Sequence, residues 1–328
     1  MDWRSSTVLQ MGMSLVDLVV ILFLAVVGAN LGSFLNVVAH RVPLGMSVVF
    51  GGSRCPACGQ AIRSRDNLPV LGWLLLRGRC RDCLVPIPGR YPFVEAVAGV
   101  LIGAVASVEL LSGGLTLPLG NAVTQDRWWR GVDDLLFHPN GRLVGMCLLH
   151  GAGLVTLLAW ALLEHDRQRL PVRWGWVTFG LLLGVAVVFP WLQPVPIWPT
   201  AHAMLSLPAW QVAGLGCLIG ILAGWLLGGL FAAVRAAGPF VGQGLALVGG
   251  LCGWQAVVTA SLLGLVVMLS RCGVQRLFPR RAAAHTDWPC RLLLADLVVA
   301  LTLQLLLWRW LDQGMTSLFS RLSVGAGG

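Results

Sequence analysis

The sequence predicts an all-α polytopic membrane protein of seven or eight transmembrane helices that carries one small cysteine-bearing loop domain. Three observations predict it. First, of 328 residues 57% are hydrophobic and 11% charged, and the mean hydropathy is +0.79. A soluble chain of this length cannot hide that much apolar surface. Second, several stretches reach about 20 apolar residues, the length that crosses a bilayer core. Each span must satisfy its own backbone hydrogen bonds, and these runs are too long for barrel strands, so they read as helices. Third, the one long polar stretch near the N-terminus holds four cysteines in two Cys-x-x-Cys pairs, Cys55, Cys58, Cys80 and Cys83.

The elements follow in order. Residues 14–38 are a first span, too long for a signal-peptide core and without a convincing cleavage site, and therefore an anchor. The polar loop of residues 40–90 has eight arginines, which places it in the cytoplasm by the positive-inside rule. A second span covers Phe93 to Leu111, and a mixed insert over 113–140 then lies outside by parity, with Trp128 and Trp129 suited to the membrane interface. A third span, 143–163, ends in the charged turn "EHDRQRLPVR", and a fourth covers 174–192. A Pro-rich loop precedes a fifth span at 209–233. The apolar run 242–270 fits the charges best as two short helices turning near Gln255, because this returns Arg271 and the arginines beyond it to the cytoplasm. A last span covers 292–311. Three divisions result: an anchor (1–39), a loop domain (40–90) and a polytopic membrane domain (91–328).

The net charge is +9, and all 23 basic residues are arginine. Basic loops at the cytoplasmic face account for this. No aromatic or basic reading surface accompanies the charge, so nucleic acid is not an expected partner; the lipid bilayer is.

Each Cys-x-x-Cys turn aims two sulfurs at one point, so Cys55, Cys58, Cys80 and Cys83 together supply four tetrahedral thiolate ligands. Four closed ligands suit a structural zinc ion; two disulfides are the alternative, which a reducing cytoplasm disfavours. The remaining cysteines (Cys147, Cys217, Cys252, Cys272, Cys290) read as small apolar side chains. His150 lies inside the third span, where ionisable groups are functional candidates; a histidine bonded to a neighbouring helix is the plainer reading. Asp17 and Asp296 lie near span ends, within reach of water or a headgroup. The Gly-rich stretches at 215–228 and 249–253 suggest close helix packing.

The segments "GSFLNVVAHRVP" (32–43), the double Cys-x-x-Cys loop, "NLPVLGWLLLRGRCRDC" and "GRYPFVEAVAG" resemble, in order and nearly without gaps, the amino-terminal half of bacterial prepilin leader peptidases. The resemblance implies a polytopic protein of the bacterial inner membrane with a cytoplasmic zinc-binding domain. It also implies an aspartic endopeptidase that removes the leaders of type IV prepilins and type II secretion pseudopilins, and that in many members N-methylates the product with S-adenosylmethionine. Glu95, inside this block, would pair with a loop arginine or serve methyl transfer.

The family's protease uses one aspartate in a segment resembling Asp-x-Asp-x-x-x-Leu-Pro and another in Gly-x-Gly-Asp. Here the first segment reads "EHDRQRLP", which puts Glu164 at the catalytic position and Asp166 at the accompanying one. "LVGGLCGWQ" (247–255) sets the register of the second, where Gly238-Pro239-Phe240-Val241 leaves Val241 in place of the aspartate. Two carboxyl groups sharing a proton are the basis of aspartic proteolysis, so the peptidase step is expected to be lost or weak. Two alternatives remain: an active endopeptidase in which Glu164 works with another carboxylate, and a non-catalytic membrane protein of assembly or interaction. Glu164 and Asp166 also fit a solvated helix end.

Overall fold

The computed structural model describes residues 15–114, 116–117, 131–168, 172–192, 209–234, 238, 240–277 and 292–325. Trp128, Trp129 and the Pro-rich loop lie outside them. Among the described residues the regular structure is helical, with two isolated β-bridges in the cysteine-bearing loop. Helix α1 is Leu15–Arg41, α2 Leu71–Leu75, and α3 Arg90–Ala106, which continues as a π turn over Ser107–Leu111. Then come α4 (Val132–Phe137), α5 (Gly141–His165), α6 (Val172–Val188), α7 (Ala209–Ala233), α8 (Val241–Cys252), α9 (Trp254–Leu277) and α10 (Leu294–Gly325).

Among the described residues, six helices are long and apolar enough to cross a membrane: α1, α3 with its π turn, α5, α7, α9 and α10. Two more apolar helices, α6 and α8, are shorter. The expected seven or eight spans thus resolve into six long helices and two short ones. Helix α6 stops at Val188 because Pro190, which cannot continue the ladder, opens a 3₁₀ turn. The expected turn near Gln255 falls at Gly253, whose φ of +84° is a conformation that favours glycine. Helices α8 and α9 therefore form a hairpin, and Arg271 returns to the end of the molecule where α8 began.

Glycine permits the tightest crossings. At Gly28, Gly32 and Gly99, α1 and α3 approach so closely that an added Cβ would meet the facing backbone. Gly220, Gly224 and Gly228 of α7 lie against Gly249, Leu245 and Gly242 of α8 in the same way. Small residues at four-residue spacing allow such contact between helices in lipid. Helix α5 contributes Leu143, Met146, Leu154, Leu157 and Trp160 to the main buried core, which Leu245, Leu247 and Leu251 of α8 and Leu297, Leu301 and Leu305 of α10 complete. The lipid-facing residues of α1, such as Val19, Phe23 and Val26, are exposed.

Two sequence expectations change. Asp17 and Asp296 are buried rather than open to water. Asp17 accepts a bond from the Val132 amide (2.9 Å) and so ties α1 to the start of α4; Asp296 belongs to the cluster described below. His150 does bond a neighbouring element: its Nδ1 lies 2.8 Å from Glu109 Oε1 in the π turn, and its ring packs on Trp308 of α10.

Candidate functional site

Two chemically distinct centres lie at the end of the molecule where α1 and α5 stop and α3, α8 and α10 begin. The first is the cysteine loop. Each Cys-x-x-Cys turn folds the same way. In one, the Cys55 amide donates to Gln60 O and the Gly59 amide to Cys55 O, both 2.9 Å. In the other, the Cys80 amide donates to Val85 O (2.9 Å) and the Leu84 amide to Cys80 O (3.0 Å). Gly59 and Leu84 occupy matching positions with positive φ, +70° and +59°.

These turns bring all four sulfurs within 4.8 Å of one another, and Cys55 Sγ and Cys83 Sγ are 3.8 Å apart. A tetrahedral zinc ion with Zn–S bonds of about 2.3 Å needs sulfur–sulfur edges of about 3.8 Å, so the donor set fits zinc in chemistry and in size. Without metal the thiols differ. The backbone amides of Cys58 and Ala57 lower Cys55 to about 7. At Cys83 the Val85 amide pulls the other way, but burial and the neighbouring thiols push it up to about 12. Asp66 receives Arg81 Nε at 2.7 Å and Arg81 Nη2 at 2.5 Å, which links α2's approach to the second turn.

Below the loop, a cavity of about 460 Å³ opens toward α1 and α3, with Asn36, Trp73, Tyr91 and Glu95 among its lining. Glu95 accepts the Val70 amide (2.6 Å). Of the two readings of Glu95, a pair with a loop arginine is not seen among the described residues; the bond to the Val70 amide instead fixes the start of α2.

The second centre is built by carboxylates. Glu164, in the last turn of α5, is buried, so it is not a solvated helix end. Its Oε2 accepts the Leu294 amide (2.8 Å), and its Oε1 has no partner among the described residues. Asp296 takes the adjacent amide, Leu293 N, at 2.9 Å. This is the reach of an acidic third residue back to a helix start, and the two carboxylates together satisfy orphan amides at the positive end of α10. Asp296 is also held by Arg271, Nε to Oδ1 at 3.1 Å and Nη2 to Oδ2 at 3.0 Å.

The predicted catalytic residues are separated. Asp166 caps α5 and points away from Glu164, to a forked pair with Arg90 at the start of α3 (2.5 and 2.7 Å). Gly238 faces Glu164 directly: a Cβ on Gly238 would collide with Oε1. Val241, three residues on, is fully buried at the start of α8. Of the Gly238–Val241 register, Gly238 is the residue seen against Glu164. Asp296 was visible in the sequence as an acid at a span start, but nothing local announced its place beside Glu164. Of the scattered cysteines, Cys147, Cys217 and Cys252 are free, whereas Cys272 is disulfide-bonded.

The family model described as Bacterial Peptidase A24 N-terminal domain matches residues 26–108, which spans the end of α1, the cysteine loop and α3. A Klebsiella pneumoniae prepilin leader peptidase/N-methyltransferase is 31% identical over 258 residues, 74% of this chain and 89% of that protein. The chain belongs to the prepilin leader peptidase/N-methyltransferase family. A Dickeya chrysanthemi protein of the same name is 29% identical over 301 residues, 82% of this chain and 88% of that protein. A Myxococcus xanthus member is 55% identical over 82 residues, 25% of this chain and 24% of that protein. No solved structure matches the chain. Within this prepilin peptidase family, the family model covers the cysteine loop and its flanking helices, while Glu164 and Asp296 lie beyond the residues it matches.

Proposed function

We propose that this protein handles the leaders of type IV prepilins or pseudopilins at the cytoplasmic face of the bacterial inner membrane, with the peptide-cutting step lost or weak. One observation carries this reading: Glu164 keeps a free, buried oxygen, but what the fold is seen to bring to it is Gly238 and, on the adjacent amide, an acid already engaged. An aspartic protease needs one carboxylate to activate water and a second, sharing its proton, to protonate the carbonyl. Val241 offers no proton. Asp296, the nearest neighbour along α10, has both oxygens committed to Arg271 and one also to the Leu293 amide.

The cysteine loop keeps the dimensions of a structural zinc site, and zinc there would hold the loop over α1 and α3. The cavity beneath it is within the size range of small-molecule pockets and is where we place S-adenosylmethionine for a surviving methyl-transfer step, which the relatives' name supports. A purely structural role in assembly is the reading that remains if neither activity exists.

A second reading has its own support, since Glu164 and Asp296 sit on adjacent amides. Opening of the Arg271 pair would put two carboxylates side by side and make an unconventional dyad. The test is cleavage of a synthetic prepilin by purified protein in detergent. The parent is expected to cut little or nothing, and Glu164→Asp with Val241→Asp is expected to restore cutting. Cleavage by the parent that Glu164→Gln or Asp296→Asn abolishes would replace the first reading with the second. Methylation of a pre-cut pilin by the parent, without cleavage, would support the retained transferase.

A further inference from the structure

The cysteine loop turns one apolar face outward. In α2, Gly72 packs on the Asp66 carbonyl and Trp73 turns inward, its indole donating to Ile87 O (3.0 Å). The other face of that turn has no cover: Leu71, Leu74 and Leu75 are 57%, 55% and 72% exposed. Their spacing of three and four residues puts them on one side of the helix. Immediately after them come Arg77 and Arg79, both exposed, and neither has a side-chain hydrogen bond or ion pair among the described residues. The loop's two acids are taken already, Asp66 by Arg81 and Asp82 by Arg63.

The depth of this face is fixed. The Val70 amide, directly before α2, donates to Glu95. Glu95 is five residues into α3, about 7 Å along its axis. The leucines are therefore held level with the first turns of a membrane-spanning helix rather than far out in water. Val49 and Phe50, also exposed, follow closely on the end of α1, in a loop whose carbonyls at Ser47, Phe50 and Gly51 the Arg41 guanidinium gathers.

We propose that α2 docks on the bilayer surface, with Leu71, Leu74 and Leu75 in the acyl boundary and Arg77 and Arg79 on anionic phospholipid headgroups. Three adjacent leucines need an apolar phase, and two unpaired guanidinium groups need anions. An anionic lipid surface supplies both at the level where α2 is held, and it is continuous with the lipid-facing surfaces of α1 and α3. The proposal is independent of any peptidase or methyltransferase activity.

The test uses the full-length protein with the photo-crosslinking residue benzoylphenylalanine in place of Leu75, in nanodiscs of phosphatidylcholine with or without phosphatidylglycerol. The same label at Val26 of α1 serves as a lipid-facing reference. Mass spectrometry after illumination is expected to find phospholipid adducts at position 75 in the anionic discs. Their yield should fall about five-fold or more in neutral discs and in Arg77→Gln with Arg79→Gln, while the Val26 adduct stays constant. Zinc content equal to the parent's shows that the loop remains folded. If the arginine variants lose zinc, the comparison between the two lipid compositions with the arginines intact decides alone. Adducts to a second copy of the chain or to an added prepilin, no lipid adduct at 75, or a lipid adduct insensitive to headgroup charge would each overturn the proposal.

Discussion

Glu164 and Asp296 hang from neighbouring amides at the start of α10, yet only Glu164 keeps an unpartnered oxygen. That difference follows from one arginine. A buried carboxylate is costly unless it is paired and hydrogen-bonded, and Arg271 gives its forked hydrogen bonds to Asp296. Asp166, two residues from Glu164 in the sequence, is directed by helix geometry to another partner, because residues two apart on a helix face different ways. In the cysteine loop the same logic governs Asp66. The Arg81 guanidinium, through its hydrogen bonds, holds the Asp66 carboxyl below the ordinary aspartate range. Because the folded value is the lower one, this ionised pair stabilises the loop above the unfolded value, and the contribution is lost as pH falls through the folded value. Asp66→Asn is therefore expected to speed hydrogen exchange over residues 53–88 at neutral pH, with the gap from the parent closing as pH drops below about 4. A gap that widens in acid would reverse the assignment.

The α7–α8 crossing shows which elements the sequence made legible. Glycines at 220, 224 and 228 announced close packing, and the structure places each against α8 backbone or near-backbone atoms. Gly224→Leu has nowhere to put its side chain, because the obstruction is the main chain at Leu245 and Ala246. Overpacking of this kind costs about 1–3 kcal/mol, and more where backbone must move. A clear drop in thermal unfolding temperature in detergent is expected, and Gly229→Leu, where nothing lies within 4 Å, should leave it unchanged. Most spans were readable for a similar local reason: a run of apolar residues with charged ends needs no knowledge of the rest of the chain. The ends of α6 and α10 were harder, since a proline turn cut one short and the other continues past its apolar stretch to Gly325. The carboxylate centre was half legible. Motif register led to Glu164 and to the Gly238–Val241 segment, but Asp296 arrives across 132 positions of chain through tertiary packing, which leaves no periodic trace.

Across the whole molecule, the cysteine loop and the helical bundle are stabilised by different physics. Residues 42–89 bury only Cys55, Gly72 and Gly78, so this region has almost no apolar core of its own. The bundle has an extensive one, and the Arg90–Asp166 pair joins its α3 and α5 beside the loop without passing through the thiols. Binding of zinc to comparable four-ligand peptides supplies about 10–16 kcal/mol near neutral pH, enough to decide whether the loop is ordered. Metal removal should therefore have a sharply local effect. Chelation is expected to open protease cleavage sites confined to residues 42–89 while the helical circular dichroism of the bundle is nearly unchanged. The ligands bind as thiolates, so acid must favour release, and a weaker chelator should suffice as pH falls. The lipid contact proposed for α2 makes the same treatment informative about docking. If leucine contacts with the bilayer persist without metal, the region near 71–79 should stay protected while cleavage concentrates around the two cysteine turns. Cooperative loss of the bundle's helicity on chelation would show instead that the loop is part of the main folding unit.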